Sequence, residues 1–207
     1  MCGRFFVAVD DPELRQILRE IEKENKRRGL SGLPPIKTGE VFPTEHAAAV
    51  IAPAGGGRRY EQMKWGFSGF DGKRPLINAR SETVRERPTF RKAVMESRCL
   101  IPASYYYEWM KHPAIRKKIR NIMRDPLSTT LYMAGIYRME SYDDVPCFVI
   151  LTRKAARGIE NIHDRMPVIL DHEEQQEWLS KDANIPRIIE KSVERILSTP
   201  EDEPGLQ

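Results

Sequence analysis

Residues 99–109 read CLIPASYYYEW, and this stretch decides which kind of fold the chain can form. Its apolar run is too short for a buried helix and is followed by aromatic residues that favour strands, so it predicts β structure. Similar stretches recur along the chain, in GRFFVAV (3–9), HAAAVIAP (46–53), RYEQMKWGFS (59–68), TLYMAGIYRM (130–139) and PCFVILT (146–152). The predicted strands therefore come from every part of the sequence.

Helical patterns lie between and after these strands. Apolar residues repeat on one face of residues 10–29, where Asp11 and Pro12 suit a helix start and Gly29 a helix end. Further helices are predicted in TFRKAVMESR (89–98), HEEQQEWLS (172–180) and IPRIIEKSVERIL (185–197). The basic insertion at 111–128 has helical spacing, because Ile115, Ile119 and Ile122 would share a face.

These patterns predict an α+β fold in which a curled mixed sheet forms a pseudo-barrel with peripheral helices. We expect a single domain over residues 1–207, with the motifs confined to 2–170 and a disordered acidic tail at 200–207. No internal repeat or linker divides the sequence into two units.

The composition limits the classes of partner. Lys and Arg number 34 against 30 Asp and Glu, so the net charge of +4 permits local DNA binding without indicating a general DNA coat. No stretch is long and apolar enough for a membrane span, which favours a cytoplasmic, nucleoid-associated protein without a membrane partner. The three cysteines lack CxxC spacing, so we expect no disulfide, metal or cofactor, and Cys99 and Cys147 should be buried in apolar runs.

Cys2 differs from the other two cysteines because of its position. If Met1 is removed, Cys2 carries a free α-amine and a thiol on adjacent carbons, which no internal cysteine can offer. The following GRFFVAV strand would hold this terminus in place rather than leave it loose. A cysteine could also stand at position 2 by chance, so the other segments of the chain have to show whether Cys2 has a chemical role.

Four segments place polar or ionisable residues beside turns, namely MCGRF (1–5), NARSET (78–83), CLIPASYYYEW (99–109) and HDRMPV (163–168). Taken singly, Asn78 could be a turn residue, Glu108 a solvent-facing strand residue and His163 a capping histidine. Together with Cys2 they supply a thiol, an amide, a carboxyl and an imidazole. Those are the groups that covalent acid–base chemistry requires.

The order of the motifs resembles a known family. MCGRF, the pair Pro43-Thr44, WGF (65–67), NAR-x-E-T, RCLIPA-xxx-YEW and HDRMP follow one another as they do in the SRAP family of abasic-site processing proteins. The resemblance runs from Cys2 to about Leu170, and the segment 111–128 matches no motif of the family.

The resemblance implies covalent capture of ring-opened abasic sites in single-stranded DNA, especially near a junction with duplex. The open sugar is an aldehyde, and an N-terminal cysteine traps aldehydes because its amine forms an imine and its thiol then closes a thiazolidine. The α-amine titrates near 7.7–8.0, so a useful fraction is neutral at physiological pH. The protein is expected to act as a monomer and to protect the damaged site.

The resemblance also implies roles for individual residues. Asn78 would orient the sugar, Glu108 would move protons during imine formation and reversal, and His163 would help to open the sugar ring. Arg4, Arg80 and Arg165 would contact flanking phosphates, although surface ion pairs are the ordinary alternative. The further expected DNA contacts are Pro43, Thr44, Trp65, Phe67, Ser81 and Trp109.

Two other functions are consistent with the sequence. A terminal cysteine with its own amine as base could instead act as a peptidase or an autoprocessing hydrolase. A non-catalytic module that recognises a modified base is the third interpretation, and Cys2 would then be incidental.

Overall fold

The computed structural model describes residues 2–30, 32–53, 55–69, 72, 74–111 and 118–201. Within these residues the chain forms four helices: α1 Pro12–Arg27, α2 Pro88–Glu96, α3 His172–Leu179 and α4 Ile185–Glu190. The strands are β1 Phe5–Val7, β2 Gly39–Val41, β3 His46–Ile51, β4 Arg59–Trp65, β5 Asn78–Arg80, β6 Arg98–Ala103, β7 Tyr105–Lys111, β8 Lys118–Arg124, β9 Leu131–Arg138, β10 Cys147–Lys154, β11 Arg165–Pro167 and β12 Leu197–Pro200. None of the described helices has the length and apolar character needed to cross a membrane.

The first sheet has five antiparallel strands in the order β12-β8-β7-β1-β2. The strand after Cys2 is therefore an interior strand of this sheet, because β1 pairs with β7 on one side and with β2 on the other. This pairing fixes the start of the chain against residues that lie about a hundred positions further on.

The second sheet has seven strands, of which six follow the order β11-β10-β4-β3-β6-β9. It is a mixed sheet, since β10 runs parallel to β4 and to β5 while its other pairings are antiparallel. The sheet curls strongly enough for β9 to pair with β10 as well as with β6.

One apolar cluster joins the two sheets. Phe5 and Tyr106 from the first sheet pack with Trp65, Ile101 and Phe148 from the second. A second cluster lies between the seven-stranded sheet and helices α2 to α4 and includes the fully buried Trp178. The sheets are held in register by this shared core, and the first cluster lies directly beneath the candidate site.

The α+β class with a curled mixed sheet is confirmed, but two details differ from the prediction. The strands form two sheets rather than one pseudo-barrel, because the five-stranded sheet stays open at β12 and β2. Residues 118–124 of the basic insertion form β8 rather than a helix, since they pair with β7 over the whole strand. Ile115 lies outside the described residues.

The C-terminal part also differs from the prediction. The helix predicted at 185–197 ends at Glu190, after which the Val193 N–H donates to the Ile169 carbonyl and Leu197 begins β12. Of the expected disordered tail, Pro200 is part of β12 and residues 202–207 lie outside the described residues.

Candidate active site

The structure brings the four predicted catalytic residues together where the two sheets meet. Cys2 and Glu108 come from the first sheet and its N-terminal extension, whereas Asn78 opens β5 and His163 precedes β11 in the second sheet. The Asn78 Nδ2 donates to the Cys2 carbonyl at 2.9 Å, which joins the two sheets directly at the site. The charges of Glu108 and His163 act on one another across the same space.

The Cys2 thiol is completely buried in this arrangement. Its Sγ lies 3.8 Å from the Arg4 carbonyl oxygen, which accepts a weak hydrogen bond from the thiol. Burial, followed by the negative charge of Glu108, raises the pKa of the thiol far above its ordinary value. The thiol is therefore protonated at neutral pH, and it needs a base before it can act as a nucleophile.

Glu108 is the best candidate for that base. It lies on the inward face of β7 and is only 3% exposed. Burial raises the pKa of its carboxyl, and the positive charge of a protonated His163 partly opposes this effect. A carboxyl with a raised pKa keeps its proton to higher pH than an exposed carboxyl does, so it can act as an acid and, once ionised, as a base.

His163 is half-buried, and its Nδ1 has two neighbours that make opposite demands. The Arg165 backbone N–H donates to Nδ1 at 3.0 Å, which requires an unprotonated nitrogen. The Asp164 Oδ1 lies 2.9 Å from the same nitrogen and favours a protonated one. Nδ1 therefore has a donor and an acceptor within hydrogen-bond distance.

One further buried hydroxyl group, that of Tyr106, lies near Cys2 and Glu108 and was not predicted. In the part of the chain that the structure describes, Tyr106 Oη and Thr152 Oγ1 are buried without a hydrogen-bond partner, as is Asn78 Oδ1. Burial and the nearby charges of Cys2 and Glu108 raise the pKa of Tyr106 well above its ordinary value. Strand alternation could have found Tyr106, because residues two apart on β7 share a face.

Two of the three predicted phosphate-binding arginines form ion pairs with carboxylates. Arg4 forms an ion pair with Glu40 at 3.3 Å, and Arg165 makes a two-point contact with Glu82 at 2.6 and 2.8 Å. Arg80 is exposed at the end of β5. A phosphate could reach Arg80 directly, whereas it would have to compete with a carboxylate at the other two residues.

The predicted aromatic contacts divide into two groups. Trp65 and Phe67 are fully buried core residues, and the Trp65 Nε1 donates to the Ile77 carbonyl at 3.0 Å. Neither ring has a face open to a base, so their burial gives no support to the prediction that they contact DNA. Trp109, in contrast, is half-buried, with the Arg4 guanidinium 4.9 Å from its ring centroid.

The remaining predicted contacts are small polar or cyclic residues near the surface. Pro43 is half-buried, and the exposed Thr44 has a positive φ of 74°. This left-handed backbone is unusual for a β-branched residue. Ser81 is half-buried and its backbone N–H donates to the Thr152 carbonyl at 2.8 Å, which places it beside β10.

Comparison with known proteins identifies the family of the chain. The family described as SOS response associated peptidase (SRAP) matches residues 1–202. The abasic site processing protein YoqW of Bacillus subtilis is 32% identical over 188 residues, which cover 87% of this chain and 80% of that protein. The abasic site processing protein YMR114C of Saccharomyces cerevisiae is 26% identical and is matched over 56% of its length.

Solved structures show the same fold. A crystal structure of a protein from Bacteroides thetaiotaomicron superposes with a TM-score of 0.73 at 20% identity, covering 98% of this chain and 93% of the other. A second, from Bordetella bronchiseptica, gives a TM-score of 0.72 at 20% identity. The chain belongs to the SRAP family.

Proposed function

We propose that the protein processes abasic sites by capturing the ring-opened sugar in single-stranded DNA as a covalent thiazolidine at Cys2. The observation that carries this proposal is the meeting of Cys2, Asn78, Glu108 and His163 at one point between the sheets. The similarity to proteins named for abasic site processing supports the same substrate.

The reaction starts after Met1 is removed, because only then does Cys2 carry a free amine. The amine nitrogen adds to the C1′ aldehyde carbon and forms a carbinolamine. A proton delivered to its hydroxyl lets that group leave as water, and an iminium remains. The thiol sulfur then bonds to C1′ and loses its proton, so the five-membered ring forms with the net release of one water.

Glu108 can serve both proton transfers. Because burial raises the pKa of its carboxyl, it can hold the proton that the departing hydroxyl group needs. The resulting carboxylate is the base that the buried, protonated Cys2 thiol requires. The reverse sequence opens the ring, so the same group would govern release of the DNA.

His163 and Asn78 have supporting roles in this scheme. His163 would pass a proton between its imidazole and the sugar, whose closed form must open before an aldehyde exists, while the contacts of Nδ1 with Arg165 and Asp164 hold the ring in place. Asn78 holds the Cys2 carbonyl through its Nδ2, and its buried Oδ1 is available to the captured sugar. Both residues would thus place the aldehyde next to the amine.

A denaturing gel tests the proposal. Processed protein mixed with a single-stranded oligonucleotide that carries one abasic site should give a band that survives denaturation, and duplex DNA should react less. Cys2→Ala should abolish the band, while Cys2→Ser should give an imine that needs borohydride to become stable. A Cys2→Ala variant that forms the stable band as well as the wild type would refute the thiazolidine mechanism.

The family description names a peptidase, so a hydrolase is the alternative that the same material can test. Incubation with a peptide library should give no turnover if Cys2 acts on aldehydes. Cleavage of peptides that is lost in Cys2→Ala, together with no band on abasic DNA, would favour the hydrolase.

A further inference from the structure

The outer face of the five-stranded sheet carries a row of aromatic rings, in which Tyr105 and Trp109 are half-buried and Tyr107, between them, is only 2% exposed. Tyr105, Tyr107 and Trp109 lie on the face of β7 opposite to the inward Tyr106 and Glu108, as alternation along a strand requires. Ring centroids are 5.3 Å apart between Tyr105 and Tyr107 and 6.4 Å apart between Tyr107 and Trp109. The row extends along β7 for about 13 Å, given the rise per residue of a strand.

Phe6 extends this row sideways onto β1. It pairs with Tyr105 across the strands, and the two rings are stacked with centroids 4.8 Å apart and planes 7° apart. Both side chains are half-buried, so part of each remains accessible. Phe42, which is 38% exposed, adds a ring beyond Arg4.

The same face is basic. Arg4 lies over Phe42 at 4.2 Å, and Arg120 on β8 lies over Tyr107 at 4.7 Å. The face also carries exposed cations at the ends of β7 and β8, as the strand register and alternation require: Lys111, Lys118 and Arg124. Against these five positive charges stand the carboxylates of Glu40 and Glu201, which contact the arginines of the face.

This surface borders the candidate active site at Arg4, whose carbonyl oxygen accepts the weak hydrogen bond of the Cys2 thiol. Arg4 is two residues from Cys2, and Trp109 follows Glu108 on the same strand. The 4.9 Å contact between the Arg4 guanidinium and the Trp109 ring therefore lies at the edge of the site. From that edge the rings lead away along β7 towards Tyr105.

We propose that the outer face of β1, β7 and β8 binds the single-stranded nucleic acid that flanks the captured sugar. This inference rests on the proposed function. Successive bases would stack on Trp109 and on the Tyr105–Phe6 pair, while the phosphates contact Arg120 and Arg124. Single-strand binding proteins combine stacking rings with a basic path in this way, and their contacts do not depend on the base.

Glu40 controls access to this surface in the unbound protein. One of its oxygens contacts Arg4 at 3.3 Å and the other contacts Arg120 at 2.5 Å, so it bridges two cations that a phosphate would otherwise meet. A phosphate has to displace this carboxylate when it binds. Glu40→Gln removes the competing charge and should therefore strengthen binding of the strand.

The test compares strand lengths. One set of oligonucleotides carries an abasic site with three nucleotides on each side, and two others are extended by about ten nucleotides on one side or the other, within the range of known single-strand sites. Parallel oligonucleotides carry a tetrahydrofuran, which cannot open to an aldehyde, so that equilibrium binding is measured apart from crosslinking. The wild type should bind one of the two extended strands more tightly than the short one.

The variants are Tyr105→Ala and Arg120→Ala. Tyr105→Ala should lose about tenfold in affinity for the favoured extended tetrahydrofuran strand, as expected for a base-stacking contact, and should crosslink the short abasic strand at the wild-type rate. Arg120→Ala should weaken binding of the same extended strand and reduce its salt dependence, because it removes a phosphate contact. Tyr105→Phe keeps the ring and should bind like the wild type, whereas Glu40→Gln should bind more tightly. Tyr142→Ala, at a residue that is 99% exposed, serves as the surface control, and melting temperatures check that each variant folds.

Three results would overturn the inference. The first is a wild-type affinity that does not depend on the length of the strand on either side. The second is that Tyr105→Ala and Arg120→Ala still bind the extended strand more tightly than the short one, by the same factor as the wild type. The third is that the face forms a contact between two copies of the protein. The last would appear as Tyr105→Ala turning a dimer into a monomer without a change in DNA binding. Loss of crosslinking by the wild type would instead refute the proposed function, because the tetrahydrofuran strands report on this surface independently.

Discussion

Among the single residues, the proposed chemistry depends most on Glu108, through its carboxyl group. Glu108→Gln keeps the shape of the side chain but cannot exchange a proton, so crosslink formation should slow by about 100-fold or more. Release of a preformed adduct should slow as well, since the same group serves both directions. Rates from denaturing gels, measured beside the melting temperature, check this prediction.

The opposite result would mean that Glu108 has only a structural role. In that case Glu108→Gln would lower the melting temperature, while the folded fraction would form and release the adduct at the wild-type rates. Asn121→Ala, at a buried strand position opposite Glu108, is a useful comparison, because it perturbs the same pair of strands without adding or removing a charge.

The pH dependence follows from the same group. The reaction needs a neutral amine, whose ordinary pKa is about 7.7–8.0, so protonation of the amine slows it at low pH. It also needs a protonated Glu108, whose pKa burial raises, so ionisation of this carboxyl slows it at high pH. Formation rates across pH should give a bell-shaped curve with its maximum between the two pKa values, and Glu108→Gln should lose the decrease at high pH.

The raised pKa of Glu108 also makes the stability of the fold depend on pH, and the effect is stabilising at low pH. Since the folded state binds the proton more tightly than the unfolded chain, the contribution of this group is fully present at low pH and is lost as pH rises through its folded pKa. Glu108→Gln should remove this part of the dependence of the unfolding free energy on pH, which denaturant titrations can measure. An unchanged dependence would mean that Glu108 titrates normally.

Arg80 is the arginine whose exposure favours a direct phosphate contact. Arg80→Ala should weaken capture and reduce the slope of log affinity against log salt by about 0.7, the value for one phosphate on a single strand. Arg165→Ala should change the slope less, because Glu82 already neutralises Arg165. Binding of the tetrahydrofuran oligonucleotide at several salt concentrations measures both slopes, and an unchanged slope for Arg80→Ala would return it to a structural role.

At the scale of elements, a substitution of Phe67 in the loop after β4 distinguishes a packing role from a DNA-contact role. Phe67 is fully buried and lies 6.1 Å from the Phe90 ring of α2, so Phe67→Ala should cost about 3–5 kcal/mol of unfolding free energy. The folded fraction should crosslink normally, because no DNA reaches the ring. Denaturant unfolding beside crosslinking checks this, and lost chemistry at unchanged stability would restore Phe67 as a DNA contact.

The elements show where sequence patterns suffice. The main strands and α1 were predictable, because each carries its own apolar run or helical repeat. The strand β8 was not, since Ile119 and Ile122 mimic helical spacing while the pairing with β7 decides the conformation. The three-residue strands β5 and β11 have no local signal either, because pairing with β10 forms them.

For the whole molecule, the sequence could supply the reactive residues but not their environment. Motif order predicted Cys2, Asn78, Glu108 and His163 as a set. It could not predict that Cys2 is buried, because this depends on β1 entering the sheet between β2 and β7. For the same reason the surface ion pairs of Arg4 and Arg165 join residues tens of positions apart and leave no local trace.

The proposed reaction uses only an amine, a thiol, a carboxyl and an imidazole from the chain. Treatment with EDTA should therefore leave the rate of crosslinking unchanged, as measured on the same abasic oligonucleotide before and after dialysis. Loss of crosslinking that added metal restores would contradict this chemistry.

The central claim is that the amine and the thiol of Cys2 together bind the sugar. Its most direct test is the mass of the adduct, followed by peptide mapping of the modified residue. The thiazolidine mechanism predicts an adduct whose mass equals that of the protein without Met1 plus that of the abasic strand, less one water. The modification should map to Cys2, and the adduct should be stable without borohydride. An adduct mapped to another residue, or a stable adduct on protein that retains Met1, would contradict it.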